Sequence, residues 1–512
     1  MRVPEAVTAS ARVARVSGRF GPVLRDTAVT MVGEAFVLIG GLLLYALFAR
    51  FFGPIGVGQV ALVKRGSGLL QPIVFLGTQT GFPRSIAIAQ GEERRTGATI
   101  AGGLLVLAAS TAIASLVLLG FPRVTSALLL GDARLSFLIP ALVVTLVSII
   151  VYGAVRGVLF GMLRIPLANA IQIAAVAVVP VVIVAIAHPT VSTALVLAAL
   201  GTTLVAAAAL LPVIAAPLRR LDAAALRQAI SGLVRYSVPR MPGDLMMAAL
   251  VSVGVLWAAR VVDVRTAGYL SVSMSLLSAI TAAFVPLSVV LLPRASALIA
   301  SGRIDVIRPR IIELLQLTVV GSLFVSSQAM IFGDTILRWW LGPAFIEGAP
   351  ALRAVLAGVP FLAIFFSLRG LIDAAAVRPY HTYNLAVALA VTIAGYAIAS
   401  VVLPARALTV GIGLSGSLGF ALLAGLTVWI LTRLYQTRLR LQDFARALLV
   451  NVVAILAGLA LHAFVAGLSV QGLAAVLAFE LVAASLVLGP FVWAALAGQL
   501  SRNPSVDSAG RA

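Results

Sequence analysis

The stretch Ala49-Arg50-Phe51-Phe52-Gly53-Pro54-Ile55-Gly56-Val57-Gly58-Gln59 sets a cation and a run of glycines between two apolar segments, and the pattern returns as Arg260-Val261-Val262-Asp263-Val264-Arg265-Thr266-Ala267-Gly268-Tyr269. From Gly58 to Gly268 the displacement is 210 positions, and it also carries Glu34 onto Asp244, Arg50 onto Arg260 and Pro83-Arg84-Ser85 onto Pro293-Arg294-Ala295. An acid, a base, a glycine and a Pro-Arg pair in register imply two copies of one structural unit facing the same way. Further along, Arg156-Gly157 followed by Pro166 recurs as Arg369-Gly370 followed by Pro379, displaced by 213 positions. The small change in displacement is what a loop insertion between the matches produces.

Around these landmarks the chain is apolar: 61% of its 512 residues are hydrophobic, 11% are charged and the mean hydropathy is +1.12. A soluble domain does not tolerate that balance, so the expected fold class is an all-α polytopic membrane protein. Apolar stretches near or above the spanning length of about 20 residues fall at 27–49, 59–82, 97–120, 135–155, 166–187, 191–214, 238–259, 268–292, 311–332, 350–368, 380–403, 408–431, 447–466 and 472–497. They predict about fourteen transmembrane helices. The expected organisation is an N-terminal segment (1–26), an N-terminal six-helix bundle (27–216), a linker (217–237), a C-terminal six-helix bundle (238–435), two additional transmembrane helices (436–498) and a tail (499–512). Six helices separate equivalent positions, so the two bundles are parallel, related by an axis along the membrane normal.

The formal net charge of +20 is distributed as topology requires. Arginines cluster on alternate connections, at Arg12, Arg15, Arg19 and Arg25, at Arg84, Arg94 and Arg95, at Arg219, Arg220, Arg227, Arg235 and Arg240, at Arg303, Arg308 and Arg310, and at Arg433, Arg438, Arg440 and Arg446. The positive-inside rule then places both termini in the cytoplasm with an even number of helices. No soluble domain presents a basic face, so a nucleic-acid partner is not expected. The basic first 26 residues lack a separate apolar run with a cleavage site, so the first apolar run reads as a retained span. In the linker, Leu221, Ala225, Leu226, Ile230, Leu233 and Val234 alternate with arginines, which suits an amphipathic helix lying on the cytoplasmic leaflet.

Cysteine is absent, which excludes disulfides, thiolate metal sites and cysteine nucleophiles. His188, His381 and His462 are far apart in sequence and show no metal-ligand spacing. A nucleotide-binding Gly-x-x-x-x-Gly-Lys-Ser/Thr loop is missing, and the only lysine, Lys64, sits inside an apolar span. Neither cofactor nor metal is expected, and without a soluble domain of enzyme size or a large outer loop the chain is not expected to be an enzyme.

Three segments carry a family resemblance: Ala49–Gly58, Gly77-Thr78-Gln79-Thr80-Gly81-Phe82-Pro83-Arg84, and Tyr236-Ser237-Val238-Pro239, continued by Ala267-Gly268-Tyr269 with Pro286 and Pro293. Over about residues 20–435 the chain resembles the multidrug/oligosaccharidyl-lipid/polysaccharide flippase superfamily, and within it the polysaccharide-biosynthesis or O-antigen-type flippases. The resemblance implies two six-helix bundles around a central cavity that alternate between inward-open and outward-open states, with helices 1, 2, 7 and 8 forming much of the cavity wall. The motifs identify the superfamily well and the substrate poorly.

Charges inside the spans are the candidate functional residues, because each costs a few kcal/mol unless it faces protein or water. Lys64 and Arg65 lie about five residues inside helix 2, where they either line a binding site for the pyrophosphate of a lipid-linked sugar or snorkel to the interface. Glu34 and Asp244, near the inner ends of helices 1 and 7, are candidates to carry a coupling H+ or Na+; the alternative is stabilisation by the helix macrodipole. Arg50 and Arg260 end the same helices on the outer side and are candidates for an outer gate or for ordinary helix C-terminal cations. Arg156 and Arg369 are candidates to capture phosphate at the inner mouth, or to anchor by the positive-inside rule. Glu480 sits mid-way along the last apolar run.

The function these expectations support is translocation of an undecaprenyl-pyrophosphate-linked oligosaccharide or similar glycolipid across the bacterial cytoplasmic membrane by alternating access. Its expected partners are the lipid-linked oligosaccharide, membrane lipids, an H+ or Na+ coupling ion and polysaccharide assembly proteins. The rival readings are a lipid II flippase for peptidoglycan, a cation-coupled multidrug exporter, a membrane glycosyltransferase or polysaccharide polymerase, and a transport-dead scaffold of envelope assembly. The exporter would require an acid-dominated cavity, whereas cations outnumber acids among the candidates here.

Overall fold

The computed structural model describes residues 20–465, apart from residues 91, 216–221, 377 and 441. The expected last span at 472–497 with Glu480, the tail at 499–512, residues 1–19 with Arg12, Arg15 and Arg19, and Arg219 and Arg220 of the linker lie outside the described residues. Among the described residues the chain is helical with no strand. Among these described residues ten helices are long and apolar enough to cross a membrane, or eleven when a bent pair is taken as one span. The all-helical membrane architecture stands, but the expected fourteen is not reached by this measure. Val29–Phe75 counts once at 47 residues, although about 20 residues suffice for one crossing. Leu448–Ala463 falls below the length required of a span.

Where the apolar runs predict a loop between 49 and 59, the structure has almost none. Helix α1 (Phe20–Phe75) is interrupted at Gly53 alone, with φ 65° and ψ −167°. A residue without Cβ reaches positive φ cheaply, and Pro54 brings a fixed φ and no N–H to the first turn of the second helical segment. The run at 59–82, expected as one helix, breaks instead at Leu76 and Gly77, with φ 51° and 72°, before α2 (Thr78–Ala89).

The chain divides into two compact units, Met1–Leu245 and Met246–Ala512. The first continues through α3 (Glu93–Gly120), α4 (Pro122–Leu129), α5 (Ile139–Gly161), α6 (Ile165–Gln172), a π-helical stretch (Ile173–Val178), α7 (Val179–Ile186), α8 (Val191–Ile214) and α9 (Ala223–Ser237). Helix α5 runs through its middle, packed against α1, α2, α3 and α8, with Val155, Val158 and Leu159 fully buried. Ile113, Leu116 and Leu204 are exposed on outward faces, as lipid contact allows.

Helix α10 (Met241–Val261) crosses into the second unit, followed by α11 (Val264–Ala282), α12 (Val285–Ala300), α13 (Ile304–Ile331), α14 (Gly333–Trp340), α15 (Ala349–Leu356), α16 (Val359–Ala375), α17 (Tyr380–Val402), α18 (Ala405–Tyr435) and α19 (Gln442–Val465). Here α16 is the central helix, packed against α12, α13 and α18. The two central helices carry the repeated Arg-Gly pairs, Arg156-Gly157 on α5 and Arg369-Gly370 on α16. The run at 268–292 also breaks, between α11 and α12. The duplication thus extends to a discontinuity hidden inside both apolar runs.

The linker departs from expectation. Helix α9 is amphipathic and capped by Asp222, whose Oδ1 accepts the Ala224 N–H at 3.1 Å. Its apolar side, through Ala225, Leu226, Ile230, Leu233 and Val234, packs on α2 and α3 of its own unit, leaving Arg227 and Arg235 on the exposed side. Protein contact, not the leaflet, therefore buries that face. The junction is tight, for a Cβ at Gly77 would meet the Ser237 carbonyl oxygen, and one at Gly81 the Ser237 hydroxyl and the Tyr236 ring.

Candidate functional site

The second half of α1 turns Lys64, Gln71 and Phe75 to one side, at the seven- and four-residue steps that return to one helix face. On α5, Thr145, Ser148, Tyr152 and Arg156 form an equivalent stripe. Between them, closed by α2, the π-helical stretch, α7 and α8, lies a cavity of about 700 Å³ inside the first unit. That volume falls within the range of about 300–1,000 Å³ found for small-molecule sites. Gln79 and Thr80 of α2 and Thr202 of α8 add polar groups to its wall.

The cavity has two cations and no carboxylate among its lining residues. Lys64 Nζ stands 4.7 Å from the centroid of the Tyr45 ring, across the turn at Gly53. Tyr45 is buried and Lys64 half-buried, so the ring quadrupole holds an ammonium that still faces the cavity, a contact worth about 0.5–1 kcal/mol. Among the described residues no carboxylate lies within 4.0 Å of Lys64. A lysine in a span, with an aromatic face but no counter-ion, presents unmatched positive charge to the cavity.

Arg156 differs. Its Nη2 donates to Glu34 Oε1 at 3.1 Å, and its guanidinium lies 5.1 Å from the Phe160 ring centroid. Two candidates singled out for separate roles are therefore partners. With side chains 40% and 50% exposed, both keep donor or acceptor positions open.

The other candidates stand apart from this cavity. Arg65 is not among its lining residues, as its position about 100° round the helix from Lys64 dictates. Arg50 is exposed just before the turn at Gly53, and Arg260 is exposed in the last turn of α10. Asp244 lies in the first turn of α10. Arg369 is exposed on α16; His381 Nε2 lies 3.1 Å from its carbonyl oxygen and 3.1 Å from Asp373 Oδ1. Each histidine packs on an aromatic ring: His188 on Phe51, His381 on Phe365 and His462 on Phe332. The repeat predicts equal roles for Arg156 and Arg369, yet only Arg156 has an acid partner among the described residues. Sequence reading missed Tyr45, Gln71, Tyr152 and Thr202, because uncharged polar residues in apolar runs stand out only once their spacing is read against a charged neighbour.

The sequence profile of a family described as polysaccharide biosynthesis protein matches residues 23–299. The chain belongs to the polysaccharide biosynthesis protein family. No curated protein matches this family member. Among solved structures, it is similar to the lipid II flippase MurJ in an inward closed conformation, with a TM-score of 0.68 at 12% identity, covering 90% of this chain and 99% of that one. It is also similar to an inward-facing multidrug resistance MATE transporter of the MOP superfamily, with a TM-score of 0.64 at 14% identity over 82% of this chain and 100% of that one. A eukaryotic MATE transporter, AtDTX14, is similar with a TM-score of 0.56 at 14% identity, covering 83% of this chain and 100% of that chain. At these identities the likeness concerns the fold, and it places this polysaccharide biosynthesis protein among multi-pass membrane proteins of the MOP flippase and transporter fold.

Proposed function

We propose that the protein flips an undecaprenyl-pyrophosphate-linked oligosaccharide, or a similar glycolipid, from the inner to the outer leaflet of the bacterial cytoplasmic membrane, with both termini in the cytoplasm. The observation that carries this reading is Lys64, a cation without a carboxylate partner among the described residues, on the wall of a cavity that no carboxylate lines. A pyrophosphate brings dense negative charge that the bilayer interior rejects, and an ammonium with a free hydrogen-bonding hemisphere compensates it through charge-assisted bonds. Gln71, Gln79 and Thr202 supply uncharged donors beside it. At Arg156 the entering phosphate competes with Glu34 for the same guanidinium. Once displaced, Glu34 is an uncompensated carboxylate, which favours uptake of H+ or Na+ and gives substrate movement a route to ion coupling. The chain performs no bond-making chemistry in this scheme, and polysaccharide assembly proteins would supply and consume its cargo.

The test is reconstitution in liposomes with fluorescent lipid-linked oligosaccharide, reading leaflet exchange with and without a proton gradient. Exchange of the oligosaccharide lipid is expected. Exchange of lipid II alone moves the protein to peptidoglycan synthesis, and cationic dye efflux without lipid exchange overturns the reading in favour of an exporter. In the same assay Lys64→Ala is expected to slow exchange by roughly tenfold, since a hydrogen bond to a charged group contributes about 1.5–3 kcal/mol. Lys64→Arg should retain most of the rate. Unchanged exchange in Lys64→Ala reduces the lysine to an anchor.

A further inference from the structure

A second cationic feature lies at the corner where α2 meets the end of α9. Gly81 lets the Tyr236 ring settle onto α2, and Arg84, one helical turn further along the same face, places its guanidinium carbon 4.4 Å from that ring's centroid. From the other side of the chain, Arg240 stands four residues after Tyr236 and brings its guanidinium carbon 3.8 Å from the same centroid. Arg240 is fixed further by donating from Nη1 to the Tyr236 carbonyl oxygen at 2.6 Å. Two guanidinium groups thus share one aromatic ring. Both carry the same charge, and among the described residues neither is in an ion pair with a carboxylate. Arg84 donates no hydrogen bond to a described residue, so its five N–H groups are left for an acceptor from outside. Both arginines are exposed.

We propose that Arg84, Tyr236 and Arg240 form a binding site for the phosphate headgroup of an anionic phospholipid. A phosphodiester supplies acceptor oxygens for the two guanidinium groups that meet at this ring, and its negative charge offsets their like charge. A lipid, not a soluble anion, is the occupant because exposed large hydrophobic residues adjoin the pair along the chain: Ile88 one turn after Arg84 on α2, and Val238 two residues before Arg240. Arg227 and Arg235, also exposed on α9, add positive charge to the helix that leads into this corner, and juxtamembrane basic residues are each worth about 1 kcal/mol toward an anionic leaflet. Because the apolar side of α9 is occupied by protein, this corner supplies the leaflet contact that the linker's own apolar face does not.

Native mass spectrometry of the detergent-solubilised full chain with added phosphatidylglycerol tests the site. The wild type should retain one phosphatidylglycerol more tightly than phosphatidylcholine. The Arg84→Gln/Arg240→Gln double variant should weaken that binding by roughly thirtyfold, while Arg84→Lys/Arg240→Lys keeps most of it and size-exclusion elution reports that each variant is folded. Undiminished phosphatidylglycerol retention by the folded glutamine variant overturns the proposal. Displacement of the lipid by inorganic phosphate at equal concentration overturns the lipid assignment in favour of a free anion.

Discussion

Arg156→Ala is expected to slow leaflet exchange of the pyrophosphate-linked glycolipid by about a hundredfold while leaving the protein folded. The guanidinium is the cavity's only group able to grip a phosphate in a bidentate manner, and removing a hydrogen bond to a charged group costs about 1.5–3 kcal/mol. The Glu34 pair contributes far less to folding. Its side chains are 40% and 50% exposed, and pairs open to solvent are worth about 0–1 kcal/mol. The thermal midpoint should therefore move by no more than about 4 °C. A charge swap separates the two roles. Glu34→Arg with Arg156→Glu rebuilds an ion pair but places an acid on the cavity wall, so stability should return and exchange should not. Recovery of exchange in the swap would show that Arg156 matters for its pairing and not for the phosphate. Glu34→Gln completes the set: it removes the competitor for Arg156, so substrate should bind more tightly while exchange loses its response to the proton gradient.

Gly77→Ala is expected to destabilise the first unit by about 3 kcal/mol, well beyond the cost of a methyl group added at Gly302. Two penalties combine at Gly77. The backbone sits at φ 72°, where an L-residue costs about 1–2 kcal/mol, and the added Cβ meets the Ser237 carbonyl oxygen, a backbone atom that cannot rotate away. Overpacking of that kind adds about 1–3 kcal/mol. Gly302→Ala is the control, because its φ of 72° at the helix C-terminal turn after α12 carries the first penalty while nothing lies within 4 Å to supply the second. Fluorescence-detected size-exclusion chromatography after heating should rank wild type above Gly302→Ala and Gly302→Ala above Gly77→Ala. Equal losses in the two variants would show that the contact with Ser237 is dispensable.

Much of the architecture was legible because bilayer crossing forces long apolar runs, and several bounds came out within a few residues, as at α8 and α17. Discontinuities were not. The breaks at Gly77 and between α11 and α12 lie inside stretches that are apolar enough overall to read as single spans, and positive φ leaves no mark on hydropathy. Gly53 stood in the opening motif, yet its role as a one-residue turn depends on Pro54 restarting the helix at once. The amphipathic linker was recognised, but periodicity shows that a face is apolar without showing what covers it. Within the site, Lys64 was found because a lone charge in a span is conspicuous. Its ring partner Tyr45 was not, since nineteen positions and a sharp turn separate the two. The pairing of Arg156 with Glu34 joins α5 to the first half of α1, a contact that neither the repeat nor local spacing encodes.

The carboxylate-free wall of the cavity also bears on inhibitor chemistry. A lipophilic cation entering this cavity would meet Lys64 with no carboxylate on the wall to screen it, so its entry should be disfavoured. A blocker suited to this wall would be an anionic amphiphile whose diphosphonate head offers acceptor oxygens to the ammonium and the guanidinium.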